Sequence, residues 1–294
     1  MDSTLTVRTP DGRSLDVYVG GPADGTPLLF HSGTPSSGRL YTPFVSAASE
    51  RGLRMVSFSR AGYGGSTRHP GRSVADVVPD ASAVLDEIGA DRFYTLGWSG
   101  GGPHALACAA ILPERVLGAA TVGGLAPFDA DGLDWLAGMG DENAAVFGAA
   151  RAGEAELAPF LESVAPSFGA MTADDVATSL SASAPDVDRA ALRGAAAAWL
   201  ADVFRDSVRN GIGGWLDEEL AFVRPWGFEL GDATVPVAVW QGALDRNTPF
   251  AHGAWLASHI PGARAHLLPD HGHISLGVDS FGLLLDDLLA VARA

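Results

Sequence analysis

The chain is predicted to be an α/β protein, a mainly parallel sheet flanked by helices with a helical cap inserted into it. Three features carry that expectation. Short apolar runs alternate with helix-period segments from Leu28 to Val122 and again from Val235 onward, the rhythm of right-handed βαβ units. Between them, from about Ala126 to Gly231, only acidic, alanine-rich helical segments appear. Finally, Gly97-Trp98-Ser99-Gly100-Gly101 ends an apolar run and opens an alanine-rich helix, a G-x-S-x-G pentapeptide at a strand–helix turn. The implied organisation is a core of residues 1–125 and 232–294 with a cap over 126–231.

Leu5-Thr6-Val7 and Leu15-Asp16-Val17-Tyr18-Val19 alternate apolar and polar around Asp11-Gly12, a hairpin signal. Leu28-Leu29-Phe30-His31 is a continuous apolar run, suiting a strand buried on both faces, and a small-residue loop from Ser32 to Gly38 follows it. Leu53–Phe58 is the next strand, and Val74, Val77, Val78, Ala81, Val84, Leu85 and Ile88 then recur at helical spacing. Pro79 starts or kinks that helix. Phe93–Leu96, a helix over Pro103–Leu112 and a strand over Val116–Val122 complete the first half. In the cap the helical segments are Ala144–Ala152, Glu154–Val164, Ala173–Ala182, Asp188–Val208 and Leu216–Phe222, with Ala165-Pro166-Ser167 as one connection. Val235–Trp240, Pro249–His259 and Ala263–Leu268 resume the alternation, and a terminal helix from about Ile274 turns Phe281, Leu284, Leu285 and Leu288 onto the sheet.

Composition removes several functional classes. With 294 residues, 47% hydrophobic and 18% charged, the chain can fill a large core. A net charge of −16 repels nucleic acid and anionic membrane, so neither is an expected partner and a small-molecule substrate is. All 19 basic residues are arginine, which excludes Schiff-base and pyridoxal chemistry and a P-loop lysine. Cys108 is the single cysteine, so no disulfide framework exists, and a buried structural thiol is its expected role. The N-terminal residues are too polar for a secretory signal and no apolar stretch spans a bilayer, which points to the cytoplasm. Asp270, His271 and His273 find no second cluster to complete a metal site. Gly97 to Gly102 lacks the spacing of a dinucleotide fingerprint. No metal and no cofactor are expected.

The pentapeptide needs glycine on both sides because the serine backbone is strained and neighbouring Cβ atoms would collide. Serine is a poor nucleophile alone; it needs an imidazole, which needs a carboxylate to fix its tautomer. Asp245 lies on the first loop after the strand Val235–Trp240, and Asp270-His271-Gly272-His273 follows the next strand. Both loops leave the carboxyl edge of the sheet, the same edge as Ser99, so they can converge on it. Asp129 is the other candidate acid and His271 the other candidate base. His104, His252, His259 and His266 read as surface residues of helices or strands. Trp135, Trp199, Trp215 and Trp226 fall in the cap, mostly as packing, and one or two facing Ser99 would make an apolar lid.

Ser99 in its elbow, the loop Gly242–Asp245 and Gly272-His273 together resemble the α/β-hydrolase family with a helical cap, over nearly the whole chain. The resemblance implies Ser99 as nucleophile, Asp245 as acid and His273, placed directly after glycine, as base. His31-Ser32-Gly33-Thr34-Pro35 is similar to the family's His-Gly-x-Pro loop, implying an oxyanion hole from the Thr34 and Gly100 amides, with Gly33 in reserve and His31 and Trp98 beside the pocket. Arg60-Ala61-Gly62-Tyr63-Gly64-Gly65-Ser66 is similar to a family loop in which aspartate stands where Arg60 does, a change expected to touch only a local turn. The implied activity is a cofactor-independent serine hydrolase acting on an ester, lactone, amide or carbon–carbon bond of a small, mostly apolar substrate. Acyl transfer, cyclisation or perhydrolysis on the same triad is the alternative, and a ligand-binding receptor-like member a further one.

Overall fold

The structure, a computed structural model, describes residues 3–180 and 184–291. Its sheet has eight strands: β1 (Ser3–Arg8), β2 (Ser14–Gly20), β3 (Thr26–His31), β4 (Leu53–Phe58), β5 (Phe93–Trp98), β6 (Val116–Val122), β7 (Val237–Gly242) and β8 (Arg264–Leu268). They lie in the order β1-β2-β4-β3-β5-β6-β7-β8. β1 and β2 form the antiparallel hairpin, pairing Leu5 with Val17, and Gly12 takes the left-handed turn position with φ 88°. β2 is antiparallel to β4, and every later pairing is parallel.

Alternation along each strand divides two cores. On β3, Leu29 faces one core while Leu28 and Phe30 face the other. The first core also holds Val77, Val84, Leu85, Leu106 and Leu256 from α2 (Val77–Glu87), α3 (Gly101–Ile111) and α10 (Phe250–His259). The second holds Phe44 from α1 (Thr42–Ser49), Trp199 from α8 (Gly194–Ser207), Leu276 from α11 (His273–Asp279) and Leu284 from α12 (Phe281–Val291). Each such fully buried side chain contributes roughly 1.5–3 kcal/mol. Covered on both faces, β5 and β7 are buried at every position, as their unbroken apolar sequences require.

The helices depart from the sequence reading in instructive ways. Between β6 and β7 run α4 (Asp141–Ala152), α5 (Glu154–Gly169), α6 (Ala173–Asp175), α7 (Asp186–Ala191), α8 and α9 (Gly213–Phe222). α5 continues through Ala165-Pro166-Ser167, which the sequence assigns to a connection, and carries Pro159 and Pro166 inside it. Leu157 and Leu161 anchor it against Trp215, Leu216 and Leu220, so tertiary packing overrides the proline penalty. The segment expected to be one helix over Asp188–Val208 is two, divided where Gly194 has φ 54°. The segment expected over Ala173–Ala182 is α6 followed by a π-turn over Val176–Leu180, and Ser181 and Ala182 lie outside the described residues. The terminal helix is likewise two pieces, α11 and α12. Pro79 sits in the first turn of α2, where its missing N–H is not needed. α1, which the sequence reading passes over, starts with Pro43 in its first turn and buries Phe44, Val45 and Ala48. Among the described residues no helix is long and apolar enough to cross a membrane.

The entrance to α3 is the tightest point of this scaffold. A Cβ on Gly101 would collide with the His31 carbonyl at the end of β3. Gly148, in α4, is exposed and has open space where a Cβ would stand. Gly101→Ala is therefore expected to destabilise the protein by about 1–3 kcal/mol, and Gly148→Ala to stabilise it by about 0.5–1 kcal/mol. Urea unfolding of both variants checks the contrast in sign.

Candidate active site

Ser99 stands between β5 and α3 with φ 57°, the one positive value at a non-glycine residue among the described residues. Such a conformation costs on the order of 1–3 kcal/mol and persists only where the surroundings over-determine it. They do so here. The Ser99 amide donates to the Val122 carbonyl (2.9 Å), and the Ser99 carbonyl accepts from Gly102 N–H (2.9 Å). A Cβ on Gly97 would strike the Gly101 carbonyl, and one on Gly100 would strike the Thr34 hydroxyl. A Cβ on Gly102 would lie 2.5 Å from Thr121 Oγ1. These contacts are why the pentapeptide reads as it does: the turn folds back against both neighbouring strand ends. Ser99 itself is half-buried.

Asp245 follows β7 and is 4% exposed. Its Oδ1 accepts from the amides of Asn247 (2.9 Å) and Thr248 (2.8 Å), and its Oδ2 accepts from Gln241 Nε2 (3.2 Å). Oδ2 also meets His273 Nδ1 at 2.7 Å. Burial pulls the pKa of His273 down, but the charge and hydrogen bond of Asp245, with the charge of Asp188, more than reverse this and leave it raised above 6.5. A Cβ on Gly123, at the end of β6, would lie 3.0 Å from both Asp245 Oδ2 and His273 Nδ1. The pair therefore sits over the strand adjacent to the one that carries Ser99. The structure brings Asp245 and His273 into contact and sets Ser99 at the neighbouring strand end; among the described residues no hydrogen bond joins Ser99 Oγ to the imidazole. His271 bonds through its carbonyl to Leu244 N–H (2.9 Å), and Asp129 is exposed.

Sequence reasoning missed the group that holds His273. Asp188, in α7, is 2% exposed. Its carboxylate accepts from the amides of His273 (2.8 Å), Ile274 (3.1 Å) and Ser275 (2.8 Å) and from Ser275 Oγ (2.8 Å). These are the free amides of the first turn of α11, satisfied by a side chain from 85 residues earlier. Gly272 has to be glycine because a Cβ there would overlap Asp188.

The loop after β3 is held by a second buried network. Glu218, on α9, is fully buried and meets Arg60 Nε (2.5 Å) and Nη2 (2.9 Å), Thr34 Oγ1 (2.7 Å), Tyr63 OH (2.8 Å) and His104 Nε2 (3.0 Å). Arg60 also donates to the carbonyls of Ser32 (2.7 Å) and Gly33 (2.8 Å). Burial pushes the Glu218 pKa up, but Arg60, the His104 hydrogen bond and Arg72 hold it well below its ordinary value. Burial lowers the pKa of His104 to about 4, so it is a neutral donor. Two expectations are corrected here. Arg60 is no local turn feature but the clamp on the Ser32–Thr34 loop. His104 and His252 are not surface residues but fully buried ones, His252 bonding Ala126 N–H (3.1 Å) and the Trp135 carbonyl (2.8 Å). The Gly100 and Thr34 amides find no hydrogen-bond partner among the described residues.

A cavity of about 30 Å³ opens beside Ser99, lined also by Thr34, Gly100, Leu125, Asn143, Val146, Phe147, Glu219, Phe222, Asn247 and Thr248. His31 and Trp98, which the family resemblance sets beside the pocket, do not line it. His31 is buried with its Nε2 3.9 Å from Cys108 Sγ and its ring against Phe58 and His104. Burial, followed by His104 and Arg60, holds its pKa well below 6.5. Burial also pushes the Cys108 thiol up to about 12, an inert structural thiol. Trp98 lies under the site, donating to the His273 carbonyl (3.2 Å) and stacked on Trp199 (centroids 6.0 Å apart). The lining aromatics are Phe147 and Phe222, not the tryptophans.

The family model described as alpha/beta hydrolase fold matches residues 26–280. An uncharacterized hydrolase, YcgS, of Bacillus subtilis is 33% identical over 109 residues, 37% of each chain. A non-heme chloroperoxidase of Streptomyces lividans is 30% identical over 124 residues, 42% of this chain and 45% of its own. The chain thus aligns with less than half the length of these curated relatives. An enol-lactonase of Burkholderia xenovorans LB400 superposes with a TM-score of 0.69 at 19% identity, covering 97% of this chain and all of the other, a likeness of fold. The strand order, the strained serine turn and the family match lead to one conclusion: the chain belongs to the alpha/beta hydrolase fold family.

Proposed function

We propose that the protein is a serine hydrolase in which Ser99, Asp245 and His273 form the triad. The observation that carries this reading is the buried 2.7 Å contact between His273 Nδ1 and Asp245 Oδ2 at the sheet edge where Ser99 is held in a strained turn. Asp245 fixes the proton on Nδ1, leaving Nε2 as the base. His273 takes the proton of Ser99 as the oxygen attacks a carbonyl, and the gap at Ser99 closes when substrate orders the hydroxyl. The free amides of Gly100 and Thr34 receive the developing oxyanion. His273 then protonates the leaving group and afterwards activates the water that releases the acyl-enzyme. Thr34 is suited to its part because Glu218 and Arg60 fix its side chain and the two carbonyls before it.

Residues 126–231 act in this reading as the cap. They supply Asn143, Val146, Phe147, Glu219 and Phe222 to the cavity, and its small size, room for little more than a water molecule, means that these helices yield when substrate is admitted. Leu125, Val146, Phe147 and Phe222 give a small apolar body a surface to pack on, and the polar residues beside them suit the oxygens of an ester, lactone or amide. The Streptomyces chloroperoxidase supports a second reading, in which hydrogen peroxide replaces water as acceptor of the acyl group.

A fluorophosphonate probe tests the nucleophile. It is expected to label Ser99 in the folded protein and to leave Ser99→Ala unlabelled; folded wild-type protein that stays unlabelled overturns the assignment. On an ester panel His273→Ala is expected to lose at least about a thousandfold in kcat while His271→Ala keeps most of it; the reverse order exchanges the two histidines.

The pH profile tests the pair. The base works only when neutral, so kcat/KM falls as pH drops through the His273 pKa, which lies above 6.5. Asp245→Asn removes the partner and leaves burial to act, so the acid limb moves to lower pH and kcat falls by about 10³–10⁴. Asp188→Asn is expected to move the limb the same way by less, because the Asp188 charge is the smaller of the two influences. An acid limb that stays in place in both variants argues against His273 as the base.

A further inference from the structure

One ionisable group in the cavity has no part in the triad. Glu219 lies beside Glu218 on α9, is 4% exposed, and lines the same cavity as Ser99. Its Oε1 accepts from Trp215 Nε1 at 2.9 Å. Its Oε2 is buried and has no hydrogen-bond partner among the described residues. The indole N–H can only donate, so Oε1 is the acceptor oxygen and a proton on this carboxyl belongs on Oε2. Burial raises its pKa; the Trp215 hydrogen bond lowers it; and the neighbouring Glu218 charge raises it again, to about 8 in sum. Everything else that lines the cavity is uncharged, from the elbow, the loops after β3, β6 and β7, α4 and α9 itself. At neutral pH the wall of the cavity therefore holds a buried O–H donor in want of an acceptor, and an unmet buried donor is costly.

We propose that Glu219 is a specificity-determining residue whose Oε2–H donates a hydrogen bond to a second, uncharged oxygen of the substrate, a carbonyl or ether oxygen apart from the one under attack. The inference rests on Ser99 being the nucleophile only for where the reaction occurs; the hydrogen bond itself is argued from the unpartnered Oε2 of a residue that lines the cavity. It narrows the substrate class from any small apolar ester to an oxygenated one, in which an apolar body packs on Phe147 and Phe222 and one further oxygen meets Glu219. An anionic substrate group is disfavoured by the adjacent Glu218 charge, and a cationic one finds a neutral partner.

Matched ester pairs differing by one oxygen test the proposal: p-nitrophenyl pentanoate against its 4-oxopentanoate on the acyl side, and butyl against 2-methoxyethyl benzoate on the alcohol side. At pH 7 the wild type is expected to favour the oxygenated member of at least one pair by about five- to tenfold in kcat/KM. Glu219→Gln, which keeps an acceptor for Trp215 and a donor for substrate, retains that ratio; Glu219→Leu and Glu219→Met lose it. In the wild type the ratio declines as pH rises through about 8, and in Glu219→Gln it does not. Equal ratios in all forms, no preference in either pair, loss of the ratio in Glu219→Gln, or a wild-type ratio that does not decline above pH 8 each overturn the proposal, since an ionised carboxylate has no proton to donate to a carbonyl or ether oxygen. Fluorophosphonate labelling of Ser99 reports an intact site in each variant. Ligand-observed NMR with 2,5-hexanedione against 2-hexanone, which have no bond to hydrolyse, reads the same preference whether or not Ser99 turns over, so failure of the hydrolase reading and failure of the Glu219 reading are separable.

Discussion

Glu218 is the point on which the arrangement depends. One buried carboxylate gathers Arg60 from the loop after β4, Thr34 from the loop after β3, His104 from α3 and Tyr63, while itself belonging to α9 in the helices between β6 and β7. Taking two such charges out of water costs several kcal/mol per ion, and only close geometry and further hydrogen bonds offset it. Here both carboxylate oxygens are engaged, and Arg60 spends its remaining donors on the Ser32 and Gly33 carbonyls. The network therefore does two things at once. It ties the helical segment to the sheet, and it fixes the loop whose Thr34 lines the cavity beside Ser99.

The same segment reaches the other side of the site through Asp188. A carboxylate from α7 satisfies the first turn of α11, and His273 is the first residue of that helix. The imidazole is thus located from two directions, by Asp245 through its ring and by Asp188 through its backbone. A movement of the helices that opened the cavity would act on Thr34 and His273 together, since both loops are bound to them.

Much of this was legible in the chain. The strand alternation located the sheet, and the glycines around Ser99 announced a turn too tight for Cβ atoms, as the contacts of Gly97, Gly100 and Gly101 bear out. The loops of Asp245 and His273 could be brought to one edge because each follows a strand, and the family resemblance, with its base directly after glycine, singled out His273 from His271. Asp188, Glu218 and Glu219 could not be chosen, because an acidic residue on a helix ordinarily faces water, and the periodicity of α9 is nearly uniform around its circumference. A signal was present all the same: Asp217-Glu218-Glu219 stands between Trp215-Leu216 and Leu220-Ala221-Phe222, so no rotation of that helix could expose all three acids without exposing apolar residues. All three are buried. Arg60, where the family carries aspartate, was the matching half of that signal, because a charge reversed at a buried loop calls for a partner of opposite sign.

The central claim is that Ser99 forms a covalent acyl intermediate under the control of His273. Rapid mixing with p-nitrophenyl acetate, followed by acid quench and mass spectrometry of the arginine-cleaved peptides, tests it most directly. A burst of one p-nitrophenolate per protein chain and one acetyl group on the peptide bearing Ser99 are expected, with neither formed when His273 is replaced by alanine. Turnover with no burst and no acetyl group at Ser99, or acetylation that persists unchanged in His273→Ala, would contradict it.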